Sequence, residues 1–188
     1  MILPIVAYGD PVLRKAGVNI DKNYPDLQKL IADMFETMAN AKGVGLAAHQ
    51  LGKSIRLFVV DGSPFTEDEE HPELKNFKKI FINARIIEEK GEKWGYSEGC
   101  LSIPKIRENV NRLPNIRIKY MDENFIEQEE TYSGISARII QHEYDHIEGK
   151  LFVDRIKPLR RTLLKSKLND IAKGNVEVDY KMKFPLLK

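Results

Sequence analysis

Apolar positions recur at helical spacing from residue 27 to residue 40, where Leu27, Leu30, Ile31, Met34, Phe35 and Met38 fall on one side. Pro25 stands ahead of them as a first-turn residue, so the pattern predicts an amphipathic helix over 27–40. The period then changes. Residues 55–60 (IRLFVV) and 79–87 (KIFINARII) are short and rich in β-branched and aromatic side chains, and they predict strands. Residues 62–77 between them carry Glu67, Asp68, Glu69 and Glu70 and read as a solvated loop. Residues 115–121 (NIRIKYM) and 125–131 alternate in period two on either side of Asp122-Glu123-Asn124, which predicts a hairpin.

Helical spacing returns twice. Residues 133–148 form one segment, ended by Gly149 where a left-handed cap is needed. Residues 158–173 form another, with Leu159, Leu163, Leu164, Leu168 and Ile171 assigned to one face and Gly174 just past the end. After it, Val176, Val178, Tyr180, Met182 and Phe184 alternate, a pattern open between a strand and a loose end. Neither a repeat nor a Pro/Ser-rich linker divides the chain, so the expected fold is a single α+β domain with a C-terminal helix.

Composition excludes disorder and low-complexity scaffolds: 42% of the 188 residues are hydrophobic and 31% charged. The net charge of +2 gives no global reason to expect DNA or an anionic membrane as a partner. Its distribution is uneven. Residues 1–154 carry 20 basic and 25 acidic side chains, while residues 155–188 carry 10 and 3. A lone cysteine, Cys100, forms no internal disulfide, and no apolar run approaches the ~18 residues of a spanning helix. The N-terminal residues lack the pattern of a cleaved leader, so a cytoplasmic location is expected.

His142-Glu143-Tyr144-Asp145-His146 fits HExxH within a segment already read as helical. Residues four apart return to nearly the same azimuth, so both imidazoles can reach one cation, and Glu143 is placed to act on a water beside it. The alternative is two histidines and a glutamate on a polar face. A catalytic site needs a third protein ligand. The extended metalloprotease pattern would place it at residue 152, which is Phe152, and a carboxylate on the following helix offers only Asp170. Cys100 is the remaining soft ligand, in Glu98-Gly99-Cys100-Leu101-Ser102, where Gly99 permits close backbone approach and the Leu101 N–H can meet a substrate oxygen. Taken alone it would read as an inert buried thiol. Residues 43–50 (GVGLAAHQ) combine small side chains with the Gln50 amide, an oxyanion donor in one reading and a tightly packed turn in the other.

Three blocks, GVGLAAHQ (43–50), EGCLS (98–102) and QHEYDH (141–146), together resemble the peptide deformylase family, as do GDPVLR (9–14) and GKLFVDR (149–155). The resemblance implies a catalytic domain over 1–174 with a tail at 175–188, built of antiparallel or mixed sheets around a central HExxH-bearing helix, plus the C-terminal helix. It implies removal of the formyl group from N-terminal formylmethionine of nascent proteins by attack of a metal-bound water. Carried over by residue, Cys100, His142 and His146 bind the metal and Glu143 is the general acid/base, while Gln50 and the Leu101 N–H stabilise the oxyanion. Val44, Gly45, Glu98, Gly99, Ile135 and Ile139 are expected at the substrate, the two isoleucines lying seven and three residues before His142. Glu98 and Arg112 resemble the family's structural ion pair. Family members favour Fe(II), with Zn(II) and other divalent ions also seen; the ligand set alone suggests zinc. The segment 62–77 makes the gap between the first two blocks longer than is common in the family.

Two rivals are weighed against this: a zinc endopeptidase on the strength of HExxH alone, and a non-catalytic metal-stapled module binding RNA or the ribosome. The second draws on the basic side chains of the third helix, Lys157, Arg160, Arg161, Lys165, Lys167 and Lys173, whose plainer reading is a solvated face. Among deformylases with a C-terminal helix that helix docks near the ribosomal exit, so the resemblance implies a ribosome contact through Arg160, Arg161, Lys165 and Lys167.

Overall fold

In the computed structural model, which describes residues 1–66 and 71–186, the continuous apolar run Leu57-Phe58-Val59-Val60 is buried on both sides. Leu57 and Val59 pack with Met34 and Met38 of the first helix, α1 (Leu27–Asn40). Phe58 and Val60 pack with Ile139 and Ile140 of the second, α2 (Gly134–Ile147). A strand covered on two faces needs no polar alternation, which is why this one reads as a plain apolar run.

The sheet between the helices is antiparallel throughout, in the order β2 (Gly45–Ala47), β3 (Leu57–Asp61), β4 (Lys78–Lys90), β7 (Asn115–Met121) and β8 (Glu127–Ser133). On β7 only Ile116, Ile118 and Tyr120 are buried, matching the alternation seen in the sequence. Between β4 and β7 in the chain, β5 (Trp94–Cys100) and β6 (Ile103–Arg112) form a separate antiparallel pair. The chain opens with β1 (Ile5–Val6), which pairs in parallel with β9 (Met182–Lys183) of the tail. The third helix, α3 (Pro158–Ala172), lies over a third apolar cluster with Ile103, Ile106, Leu151 and Phe152.

Several expectations need correction. Pro25 precedes α1; the cap is Asp26, in the left-handed region at φ 53°. β4 extends beyond 79–87 because Asn83, at φ 53°, absorbs a register shift while its amide bonds both backbone groups of Ile20. The loop at 62–77 contains short 3-10 turns at Ser63–Thr66 and Pro72–Leu74, with Leu74 buried; Glu67, Asp68, Glu69 and Glu70 lie outside the described residues. The hairpin turn runs on through Phe125, at φ 58°, because the Asp122 carboxylate accepts from the N–H groups of Asn124 and Ile126. Strands β5 and β6 were not anticipated, since glycine, proline and charged residues interrupt the spacing of Trp94, Tyr96, Ile103, Ile106 and Val110.

On α3 the buried stripe is Leu164, Leu168, Ile171 and Ala172, spaced by four, seven and eight residues, whereas Leu159 and Leu163 are 72% and 62% exposed. At about 100° per residue, Leu163 sits a quarter-turn and Leu159 more than a third of a turn from that stripe. Gly149 does hold the left-handed cap of α2 at φ 70°, where any side chain would meet the Arg14 carbonyl. Truncation distinguishes the two faces of α3: Leu168→Ala is expected to cost about 2–4 kcal/mol in urea unfolding and Leu163→Ala within about 0.5 kcal/mol.

Candidate metal centre

Residues 45–51 leave β2 and close into a 3-10 turn, Ala48–Leu51, that delivers Gln50 beneath the cavity. The Gln50 side-chain oxygen accepts the Ala47 N–H at 2.9 Å, so its NH2 must face the other way. There it lies 3.5 Å from Cys100 Sγ and 3.3 Å from Ser102 Oγ. Cys100 ends β5, and the tight turn to β6 presents its thiol toward α2.

One ligand atom from each of Cys100, His142 and His146 lies within 4.8 Å of the other two. His146 Nε2 is 3.3 Å from the sulfur. His142 Nδ1 is 2.9 Å from Glu98 Oε2, which places the ring proton on Nδ1 and leaves Nε2 with its lone pair free. Burial opposes charging His142, but hydrogen bonds to Cys100 and Glu98 carry its pKa well above the ordinary histidine value. His146, buried and facing His142, is pushed well below it. A thiol with two imidazoles is a donor set that suits a divalent cation with one position left open.

Glu143 is buried and its Oε2 has no hydrogen-bond partner. Burial pushes its pKa up to about 7. It is pressed against β2: a side chain at Gly45 would overlap its carboxylate, so only glycine allows this approach. At Gly43 a Cβ would come within 2.7 Å of Leu101 Cδ1, so a side chain there would require the end of Leu101 to shift.

Glu98, 5% exposed, joins the parts. It takes Arg112 in a two-pronged pair at 2.7 and 2.9 Å, Arg138 at 2.9 Å, and His142. Arg112 also reaches Asp145 of α2 at 2.7 Å, and Asp145 in turn binds Arg155. Arg138 and Asp145 were missed by sequence reasoning; the available signal was their position on α2, four residues before and three after His142.

A cavity of about 500 Å³ opens over this centre. Val44, Gly45, Glu98, Gly99, Ile135 and Ile139 all line it, together with Gln50, Cys100, Leu101, His142 and Glu143. His146 is buried below. Arg138 joins the wall, stacked 4.5 Å over Trp94. Phe152, at the position of a protease's third histidine, is buried in the third apolar cluster.

A family model described as polypeptide deformylase matches residues 2–162. Peptide deformylases of Christiangramia forsetii and Flavobacterium johnsoniae are 57% and 53% identical to this chain, each alignment covering all of it and 98% of the relative. Among solved structures, a peptide deformylase from Legionella pneumophila superimposes with a TM-score of 0.79 at 36% identity, covering 93% of this chain and 98% of that one.

Glu98 also makes the fold sensitive to acid. Burial alone would raise its pKa above the usual 4.5, but hydrogen bonds from Arg112 and His142 reverse that and hold it far below. A depressed carboxyl stabilises the fold above its unfolded pKa, and that contribution fades as pH falls below about 4.5 toward the folded value. Glu98→Gln is therefore expected to cost about 3–5 kcal/mol near neutral pH and to flatten the acid limb of stability against pH in urea titrations.

Proposed function

The chain belongs to the peptide deformylase family, metal-dependent hydrolases that remove the N-formyl group from nascent peptides, and from that premise we propose how its residues divide the reaction. Cys100, His142 and His146 hold one divalent cation, Fe(II) in the cell, with Zn(II) able to replace it. Bound there, the cation supplies Lewis acidity and a water acidified toward neutrality. Glu143 accepts a proton through its unpartnered Oε2 and returns it to the departing amine. Gln50, its amide oriented by Ala47, and the Leu101 N–H donate to the formyl oxygen as charge develops on it.

Val44, Ile135 and Ile139 take the methionine side chain, and Gly45, Glu98 and Gly99 complete the wall that the substrate meets. The α2 helix with its HExxH residues is the centre of this arrangement, residues 1–174 are the catalytic domain, and 175–188 follow as a tail. No helix among the described residues is long and apolar enough to cross a membrane. A thiol serving as ligand suits the reducing bacterial cytoplasm, where we assign the enzyme.

The observation that carries the reading is the convergence of three ligand atoms within 4.8 Å beside a buried, unpartnered acid. With protein purified without oxygen, Glu143→Ala is expected to keep one equivalent of metal while turnover of a formyl-Met peptide falls by about 10²–10⁴, and Cys100→Ser to lose the metal. Near wild-type turnover in Glu143→Ala would refute the assignment.

The α3 helix supports a ribosome contact through Arg160, Arg161, Lys165 and Lys167. Arg160 pairs with Glu108 and Arg161 with Asp154, whereas Lys165 and Lys167 are exposed and make no ion pair among the described residues. Reversing both lysines to glutamate is expected to weaken cosedimentation with ribosomes several-fold, more steeply at low salt, while turnover of a short formyl-Met peptide holds. Unchanged ribosome affinity would remove this part of the proposal.

A further inference from the structure

The alternation after Gly174 has a destination. Val176, Val178, Tyr180, Met182 and Phe184 are half-buried while residues 175, 177, 179, 181 and 183 are exposed, so the tail lies as a strap with one face on the body. Its far end is anchored by the Ile5 and Ala7 N–H groups on the Lys181 and Lys183 carbonyls, and by the Leu186 N–H on the Ala172 carbonyl. Val176, Met182 and Phe184 pack on the third apolar cluster. Between these anchors Val178, Asp179 and Tyr180 form part of the wall of the central cavity.

The Tyr180 hydroxyl donates to the Leu101 carbonyl at 2.8 Å, across 79 positions of sequence. Leu101 belongs to the two-residue turn between β5 and β6, where the register is irregular. The next residue is held twice from the body, by the Tyr8 N–H on the Ser102 carbonyl at 2.8 Å and by Gln50 on Ser102 Oγ at 3.3 Å. The Leu101 side chain packs close to Gly43, and the carbonyl of Leu101 itself is held from the strap. A peptide so short has little freedom except rotation about its flanking bonds. The Leu101 carbonyl shares one peptide plane with the Ser102 N–H, and that plane meets the Cys100–Leu101 plane, which carries the Leu101 N–H, at the Leu101 Cα; holding the carbonyl therefore restrains the backbone torsions of Leu101 and, through them, the N–H and the end of β5.

We propose that Tyr180 is a positioning residue for deformylation: through the Leu101 carbonyl, the strap fixes the turn that presents the Leu101 N–H and the Cys100 thiol. This rests on the roles given above to Leu101 and Cys100. An oxyanion donor contributes in the transition state and little in the ground state, so loosening it lowers kcat and leaves KM alone.

The test uses the full-length, metal-loaded enzyme. Tyr180→Phe keeps the ring and deletes the hydroxyl, and it is expected to lower kcat on a formyl-Met peptide about three- to tenfold, with KM within about twofold and one equivalent of metal retained. Amide exchange at residues 100–102 should rise at least about fivefold while exchange in β3 is unchanged. An unchanged kcat with a lowered Tm would make Tyr180 a packing residue and overturn the proposal; so would a raised KM at constant kcat, the mark of a substrate-contacting wall. Should the variant fold poorly, Met182→Ala loosens the strap with the hydroxyl in place and is expected to move kcat and the exchange at 100–102 in the same directions. An inactive wild-type enzyme would instead strike at the proposed function, and the exchange comparison would still decide whether the strap holds the turn.

Discussion

The burial of one carboxylate, Glu98, ties the structure together. Three positively charged or proton-donating groups from two elements meet on it: Arg112 from β6, and Arg138 and His142 from α2. An ionised carboxylate with so little exposure is tolerable only when its oxygens are fully engaged, and here the engagement comes from elements that would otherwise pack independently. The β5–β6 pair is outside the main sheet, so this cluster, extended through Asp145, is what registers it against α2. The same bond that satisfies Glu98 fixes the tautomer of His142. Neutralising Glu98 and orienting the His142 ring are thus one requirement, and neither can be relaxed alone.

A second constraint follows from how closely α2 sits on the sheet. Isoleucines on one side of the helix fill the second apolar cluster, and the side bearing Glu143 is driven against β2. Gly45 is the point where the strand yields to the carboxylate, which leaves Glu143 desolvated and facing the cavity. Desolvation raises its pKa toward neutrality. The apolar packing that holds the helix in place is therefore also what tunes the acid.

Much of this was legible because the relevant spacings are local. The i, i+4 histidines, the small residues of GVGLAAHQ and the apolar runs of α1 and β3 each state their structure within a few residues. What was hidden depends on distant partners. In β5 and β6 glycine and charged residues interrupt the apolar positions, and no local spacing says that Glu98 and Arg112 will neutralise each other in the interior; only the family resemblance paired them. Arg138 reads as a surface cation until Glu98, the Val110 carbonyl and the Trp94 carbonyl are brought to it. The tail shows its alternation plainly, but not that β1, at the opposite end of the chain, is its partner.

The charge asymmetry divides in the same way between what the fold consumes and what it leaves. Arg155, Arg160 and Arg161 turn inward to Asp145, Glu108 and Asp154, so part of the basic segment is matched to the acidic body. The Arg160 and Arg161 side chains are 54% and 49% exposed, and ion pairs so wet contribute little. Leu164, Leu168 and Ile171 must therefore hold α3 in place, with the pairs setting its direction. Off that stripe Leu159 and Leu163 remain uncovered, and Lys165 and Lys167 make no ion pair among the described residues. Apolar burial is then what secures the helix, and Leu159 and Leu163 are apolar at positions where folding does not require it.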